Sequence, residues 1–288
     1  ANPRAISGDG FVNPVIHSET LHQLGVLARQ KPHALLITGP YGIGLTTLAN
    51  QVIGVGSEVV TTVLPEKNEK LDLEKGTITV ERIRSLYDTT RTKLPSGRII
   101  IIDYAERMAP AAQNAFLKLL EEPTEGTRFI LLTHQPTLLL PTITSRSQRI
   151  DARPVTRSQS EALLDALKVT DPTKRAQLLF IAEGLPAALT QYVQDEESFQ
   201  GRASLVKDAR SYVTGGAYEK LLIAKKYKDS RADALTLVED SLKLLRRAIA
   251  EKGDATSLKT LARLEVLHKR ISEQGNVRLQ LSAAVVVL

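Results

Sequence analysis

Residues 99–150 read IIIIDYAERMAPAAQNAFLKLLEEPTEGTRFILLTHQPTLLLPTITSRSQRI. The four β-branched residues Ile99 to Ile102 predict a buried strand, and the strand ends in a carboxylate, Asp103. Pro110 to Glu121 reads as a helix opened by proline in its first turn. Phe129-Ile130-Leu131-Leu132-Thr133 is a further short apolar run and predicts another strand. The same alternation extends upstream. Val15 to Gln30 reads as a helix, Ala34 to Thr38 as a buried strand ending in glycines, and Thr46 to Val55 as a helix. Val80 to Lys93 is amphipathic, with Val80, Ile83, Leu86 and Tyr87 on one face. Strands alternating with helices predict a parallel sheet in an α/β domain.

After Asp151 the strand pattern stops. Ser158-Gln159-Ser160-Glu161 has capping-box form and predicts a helix to about Leu167. Asp171-Pro172 predicts a second, ending at Gly184. Arg231 to Glu251 carries Leu235, Val238, Leu242, Leu245 and Ile249 at spacings of three and four, a single apolar stripe. Ser257 to Gln274 and Val277 to Leu288 also read as helix. The expected organisation is an α/β domain over 1–153, a small helical lid domain over 154–212 and an all-helical collar domain over 213–288. Linker character is confined to Asp195-Glu196-Glu197 and Gly215-Gly216.

With 288 residues, 42% of them hydrophobic and 24% charged, the chain is an ordinary globular one, long enough for two or three domains. It has no cysteine, which excludes disulfides, thiol nucleophiles and Cys-rich zinc sites. Five scattered histidines form no metal-ligand cluster, so no metal is expected. No apolar run reaches the ~20 residues of a membrane span. Ala1-Asn2-Pro3-Arg4 lacks the layout of a secretory signal, and a cytoplasmic location is expected. The net charge is +6, and residues 211–288, with 14 basic and nine acidic groups, hold +5 of it. A solvated helix surface accounts for that excess as well as a nucleic-acid patch does.

Between the first strand and its helix lies Gly39-Pro40-Tyr41-Gly42-Ile43-Gly44-Leu45-Thr46-Thr47. Gly39, Gly44 and Thr46 match the phosphate-loop pattern G-x-x-x-x-G-K-[ST] in type and spacing. Such glycines turn backbone N–H groups inward, and the following helix N-terminus adds positive potential. The lysine that would bind the β- and γ-phosphates is Leu45. Two readings stand here: a Gly-rich strand-to-helix turn of any α/β fold, or a phosphate loop without its lysine. Asp103 supplies the second acidic strand that such a site uses to hold Mg²⁺ through water. A strand-end cap is its plainer role.

The segments Asp103 to Met108, Asn114 to Lys118, Leu120-Glu121-Glu122-Pro123, Leu140-Pro141-Thr142-Ile143 and Ser145-Arg146-Ser147 together closely resemble the AAA+ clamp-loader proteins of bacterial DNA polymerase III. Lys31-Pro32-His33-Ala34 and Val80-Glu81-Arg82-Ile83-Arg84 agree with it. The resemblance covers roughly residues 10–190, and Asn276 to Leu288 is similar to the family's last collar helix. It implies an AAA+ P-loop-type parallel sheet domain followed by a helical lid and collar. Three departures point to the delta-prime type rather than the ATP-hydrolysing gamma/tau type. Leu45 stands at the lysine position and Tyr104 at that of the catalytic glutamate. Gly184 to Leu189 lacks the arginine that active members place at this helix start. Gly39, Gly42, Gly44, Thr46, Thr47 and Asp103 would then form a degenerate site for ATP or ADP, weak or empty, with no cofactor required.

The resemblance assigns Arg146 as an arginine finger, supplied in trans to the γ-phosphate held by a neighbouring subunit. A guanidinium suits that task because it stays charged and presents a fork of donors. The plainer reading is a loop arginine in a salt bridge. Arg149 is the nearby bystander. The interval Gly54 to Thr79 is short and cysteine-free, so the zinc module of many relatives is expected to be absent. Thr133 and His134, near the family's γ-phosphate sensor position, read as structural, and Glu106 need not face the same site. The implied partners are gamma/tau- and delta-type subunits, the sliding clamp and, through the complex, primed DNA, with no membrane. A gamma/tau-type ATPase and a non-replicative AAA+ scaffold are the alternatives.

Overall fold

The computed structural model describes residues 14–54, 57–73, 75–252, 255–273 and 275–285. The N-terminal tetrapeptide and the last three residues of the expected final helix lie outside them. The chain divides into two compact units between Val193 and Gln194.

The first unit opens with α1 (Ser18–Gln30), β1 (Ala34–Thr38) and α2 (Leu45–Ile53). Then follow β2 (Val59–Val63), the two-residue strands β3 (Glu66–Lys67) and β4 (Lys70–Leu71), α3 (Val80–Arg91) and β5 (Arg98–Ile102). Next are α4 (Pro110–Glu121), β6 (Thr127–Thr133), the single turn α5 (Pro141–Thr144) and β7 (Gln148–Asp151). Helices α6 (Arg157–Ala166), α7 (Pro172–Ala182) and α8 (Pro186–Gln194) complete it. Five strands form one parallel sheet in the order β2-β5-β6-β1-β7. β3 and β4 pair separately as a small antiparallel ribbon.

The isoleucine run shows why the sheet forms. Side chains alternate across a strand, so Ile100 and Ile102 enter one core with Phe116, Phe129 and Leu131. Ile99 and Ile101 enter the other with Leu35, Ile37, Leu48 and Ile130. Both faces are covered, as a parallel sheet requires, so the strands read as continuous apolar runs rather than alternating ones. The edge strand β2 differs. Val59 and Val60 are exposed and only Val63 is buried, so it carries no such run.

The capping box of α6 lies two residues upstream of its expected place. Thr156 is the N-cap, its hydroxyl accepting from Gln159 N while the Gln159 side chain accepts from Thr156 N. Ser158 instead lies within the first turn. Asp171 caps α7 as expected, accepting from Thr173 N.

The second unit consists of α9 (Glu196–Thr214), α10 (Ala217–Lys226), α11 (Arg231–Lys252), α12 (Ala255–Ser272) and α13 (Val277–Val285). Val238, Leu242 and Leu245 of the expected stripe are buried, and Leu235 packs against the same core. The expected boundary at 212/213 falls inside α9, whose Ala209 and Tyr212 are buried with residues of α10 to α13. The Tyr212 hydroxyl donates to the Leu281 carbonyl at 2.8 Å. Asp195 is the N-cap of α9, and Gly215 and Gly216 form the tight junction between α9 and α10.

Candidate functional site

The C-terminal ends of β1, β5 and β6 lie side by side, since Ile102 pairs with Leu131 and Thr38 with Thr133. The crevice beyond such strand ends is where open α/β sheets place their ligands. Gly39 leaves β1 there, Asp103 leaves β5 and His134 leaves β6. The register therefore brings the expected loop and the expected carboxylate together. Thr46 Oγ1 donates to Asp103 Oδ2 at 3.3 Å, and Tyr104 N donates to Asp103 Oδ1 at 2.9 Å. Burial raises the Asp103 carboxyl above the usual aspartate range, against the opposing pull of those two hydrogen bonds.

The loop itself has the glycine geometry that its sequence predicts. Gly42 and Gly44 have φ of +85° and +90°, the left-handed region that side chains rarely adopt. Helix α8 packs closely against Gly42. Ala188 N, in the first turn of α8, donates to the Gly42 carbonyl at 3.0 Å. A Cβ on Gly42 would meet Ala188 Cβ at 2.7 Å, and one on Gly44 would meet Ala187 Cβ at 3.4 Å. The segment expected to lack an arginine thus lies against the loop through small apolar residues. Leu45, in the lysine position, is 4% exposed and belongs to the core with Leu48, Ala49 and Leu132. Thr46 and Thr47 are exposed.

Three aromatic residues gather at the same strand ends. The Tyr41 ring stacks on His134 with centroids 3.9 Å apart, and Tyr104 meets the same imidazole edge-on at 5.6 Å. His134 Nδ1 lies 2.8 Å from the Gly39 carbonyl, a contact that favours the Nδ1–H tautomer. Glu106, read from sequence as free to face elsewhere, is buried here: its Oε1 accepts from His134 N at 3.4 Å. Burial, followed by the Asp103 carboxylate, pushes the Tyr104 phenol up. It is therefore neutral at pH 7 and no general base. Thr133 is fully buried, and its hydroxyl accepts from Gln135 N at 3.1 Å. Tyr41 escaped the sequence reading, because nothing in a loop sequence says which β6 residue it will stack on.

Arg146 stands in a different setting. Ser145 Oγ and Ser147 Oγ donate to the Thr142 and Ile143 carbonyls at 3.2 and 2.9 Å, pinning the turn that follows α5. Gln113 of α4 fixes the approach to α5: its Nε2 donates to the Leu138 carbonyl at 3.0 Å and its Oε1 accepts from Leu140 N at 2.7 Å. On this support the Arg146 side chain is 38% exposed, with Nη2 2.9 Å from Glu121 Oε1. The salt bridge of the plainer reading therefore exists. Arg149 is held twice by one oxygen, Nε and Nη2 lying 2.8 and 2.7 Å from Asp151 Oδ1, which also accepts from the Thr38 hydroxyl. Burial opposes the charge on Asp151, but Thr38 and Arg149 outweigh it and hold its carboxyl below the usual range.

Sheet, loop and helices define the class of protein: a P-loop-type AAA+ α/β fold with a helical C-terminal region. A gamma subunit-related DNA polymerase III protein from Thermotoga maritima superposes with a TM-score of 0.51 at 20% identity, covering 92% of this chain and 98% of that one. This establishes the likeness of fold. A family model described as DNA polymerase III, delta subunit matches residues 57–156. The Pseudomonas aeruginosa DNA polymerase III subunit delta' is 31% identical over 215 residues, 65% of this chain and 63% of that protein. The Bacillus subtilis subunit tau is 28% identical over 263 residues, 82% of this chain and 45% of that one. The chain thus spans less than two thirds of the length of these relatives. It is similar to the delta-prime subunits of DNA polymerase III and related to tau. Among the described residues, no helix is long and apolar enough to cross a membrane.

Proposed function

We propose that the chain is a non-hydrolysing, delta-prime-like subunit of a DNA polymerase III clamp loader. It supplies Arg146 in trans to ATP bound by a neighbouring gamma/tau-type subunit, while the assembly loads a sliding clamp onto primed DNA. The observation that carries this reading is the contrast between two settings. The chain's own phosphate loop is packed against Ala187 and Ala188, has Leu45 turned into the core and is flanked by Tyr41 and Tyr104. Arg146 remains at the surface. The loop residues do not fit a triphosphate with its Mg²⁺: the lysine charge that would meet the β- and γ-phosphates is missing. In this reading no nucleotide or zinc is required, and Gly39, Gly42, Gly44, Thr46, Thr47 and Asp103 form a degenerate site that holds ATP or ADP weakly or not at all. The helices α9 to α13 pack with the corresponding helices of other subunits as a collar.

Arg146→Ala tests the finger. In an assembly with gamma/tau- and delta-type subunits, clamp and primed DNA, it should leave assembly intact and lower ATP turnover by about tenfold or more, a guanidinium of this kind contributing ~10³ or more at the interface it serves. Unchanged turnover removes the role.

A second reading, an ATP-binding subunit of the gamma/tau type, is favoured by one observation: the retained Thr46–Asp103 contact at the loop. Turnover by the isolated chain that Asp103→Ala abolishes would decide for it.

A further inference from the structure

Glu121 is the last residue of α4, and Glu122 follows it. Carboxylates are disfavoured at a helix C-terminus, where the macrodipole is negative, so helix stability does not account for this pair. Leu119 and Leu120 just before it are buried, which fixes the end of α4 against the sheet. Gln113 of the same helix fixes the segment that enters α5. Glu121 and Arg146 are thus carried by two elements tied together, and the guanidinium bridges them. Its Nη2 lies 2.9 Å from Glu121 Oε1, and its Nη1 donates to the Thr142 carbonyl at 3.2 Å.

The pair is 38% and 50% exposed and uses one carboxylate oxygen. Such a contact is weak and exchangeable. A carboxylate and a phosphate offer the same kind of acceptor to a guanidinium fork. We propose that Glu121 is a positioning residue for Arg146: it holds the guanidinium at the surface in a waiting position and yields it to the γ-phosphate of the neighbouring subunit. The inference rests on the finger reading above and names its regulator. Engagement of ATP is then an exchange of acceptors, with Glu121 as the competitor.

The test is steady-state ATP turnover of the complete assembly with clamp and primed DNA, comparing wild type, Glu121→Gln, Arg146→Ala and the double variant. Glu121→Gln removes the competing charge and should raise kcat/KM about two- to fivefold, the range that an exposed ion pair spans. The gain should lie in a lower KM, with kcat within about twofold of wild type. It should shrink as salt is raised, since salt already weakens the exposed pair. In the Arg146→Ala background the same substitution should change nothing. Glu121→Lys should move KM in the same direction and serves if the amide variant assembles poorly. Unchanged or reduced kcat/KM, or an equal gain without Arg146, overturns the positioning role. The two levels separate cleanly: if Arg146→Ala itself leaves turnover unchanged, the finger reading fails. If it lowers turnover while Glu121→Gln yields no gain, only the inference about Glu121 fails.

Discussion

The Gly39–Thr47 loop and the Ser145–Ser147 turn both follow from the same sheet, yet they are held in opposite ways. At the loop, backbone and apolar groups close on one another: Ala188 on Gly42, Tyr41 on His134, Leu45 in the core. At the turn, the backbone is pinned by two serines and the buried Gln113, while the functional group of Arg146 stays accessible. A glycine pattern can therefore serve packing alone, since Gly42 and Gly44 are required by their positive φ, and Gly42 also by the approach of α8, whether or not phosphate binds. The half-exposed Arg146 has only a weak ion pair to Glu121 and one hydrogen bond to Thr142 as a structural reason. Its cost and benefit lie in what it touches.

The largest expected effect that can break this contrast comes from Leu45→Lys. If the loop were an intact phosphate site lacking only a charge, the substitution would create ATP binding. If the loop is a packed core element, it removes a buried leucine, worth about 2–5 kcal/mol, and forces an ammonium to find solvent. We expect a loss of about 3 kcal/mol in urea unfolding and no ATP binding by calorimetry at millimolar nucleotide. Tight binding would overturn the packed-loop account.

Gly42→Val is expected to cost about as much. The left-handed backbone costs a side chain about 1–2 kcal/mol, and the added Cβ overpacks against Ala188, for a further 1–3 kcal/mol. A loss of about 2–5 kcal/mol is expected. A loss under about 1 kcal/mol would mean that α8 lifts easily from the loop, which would sharpen the alternative of a site able to open for nucleotide.

Asp103→Asn probes the same end of the sheet more gently. The folded chain holds the Asp103 carboxyl above its unfolded value because burial disfavours the charge. The native state therefore binds this proton more readily, and the ionised group subtracts stability at pH values above its folded pKa. Asp103→Asn should be at least as stable as wild type at pH 7–8. Its advantage should fade as pH falls through the raised pKa and vanish near the ordinary aspartate value. Chemical denaturation across pH 4–8 checks this, and an advantage that grows on acidification would contradict it.

Much of this was legible in the sequence, for physical reasons that also mark where legibility ended. Ile99 to Ile102 and Ala34 to Thr38 announce buried strands because both of their faces are covered. β2 announces nothing, since Val59 and Val60 face solvent at an edge. Thr156 and Ser158 both head a capping-box pattern, and only the folded backbone chooses between them. The Gly39–Asp103 convergence was readable from motif order, because parallel strands deliver their C-terminal ends to one place. The seat of α8 on Gly42, the Tyr41–His134 stack and the Arg146–Glu121 pair were not. They join residues far apart in the chain through surfaces that no local periodicity encodes.

The smallest expected effect is the most telling about the turn. Arg146→Ala removes an exposed ion pair and one hydrogen bond to Thr142, and exposed pairs contribute about 0.2–1 kcal/mol. The turn keeps its serines and Gln113, so the fold should barely register the change: within about 1 kcal/mol by chemical denaturation. If Arg146 were there to hold α4 to α5, its loss would instead match that of a buried, networked arginine. Near-silent thermodynamics combined with lowered turnover in the assembly would separate chemistry from packing at this position. A loss above about 2 kcal/mol would place Arg146 with the loop, as structure.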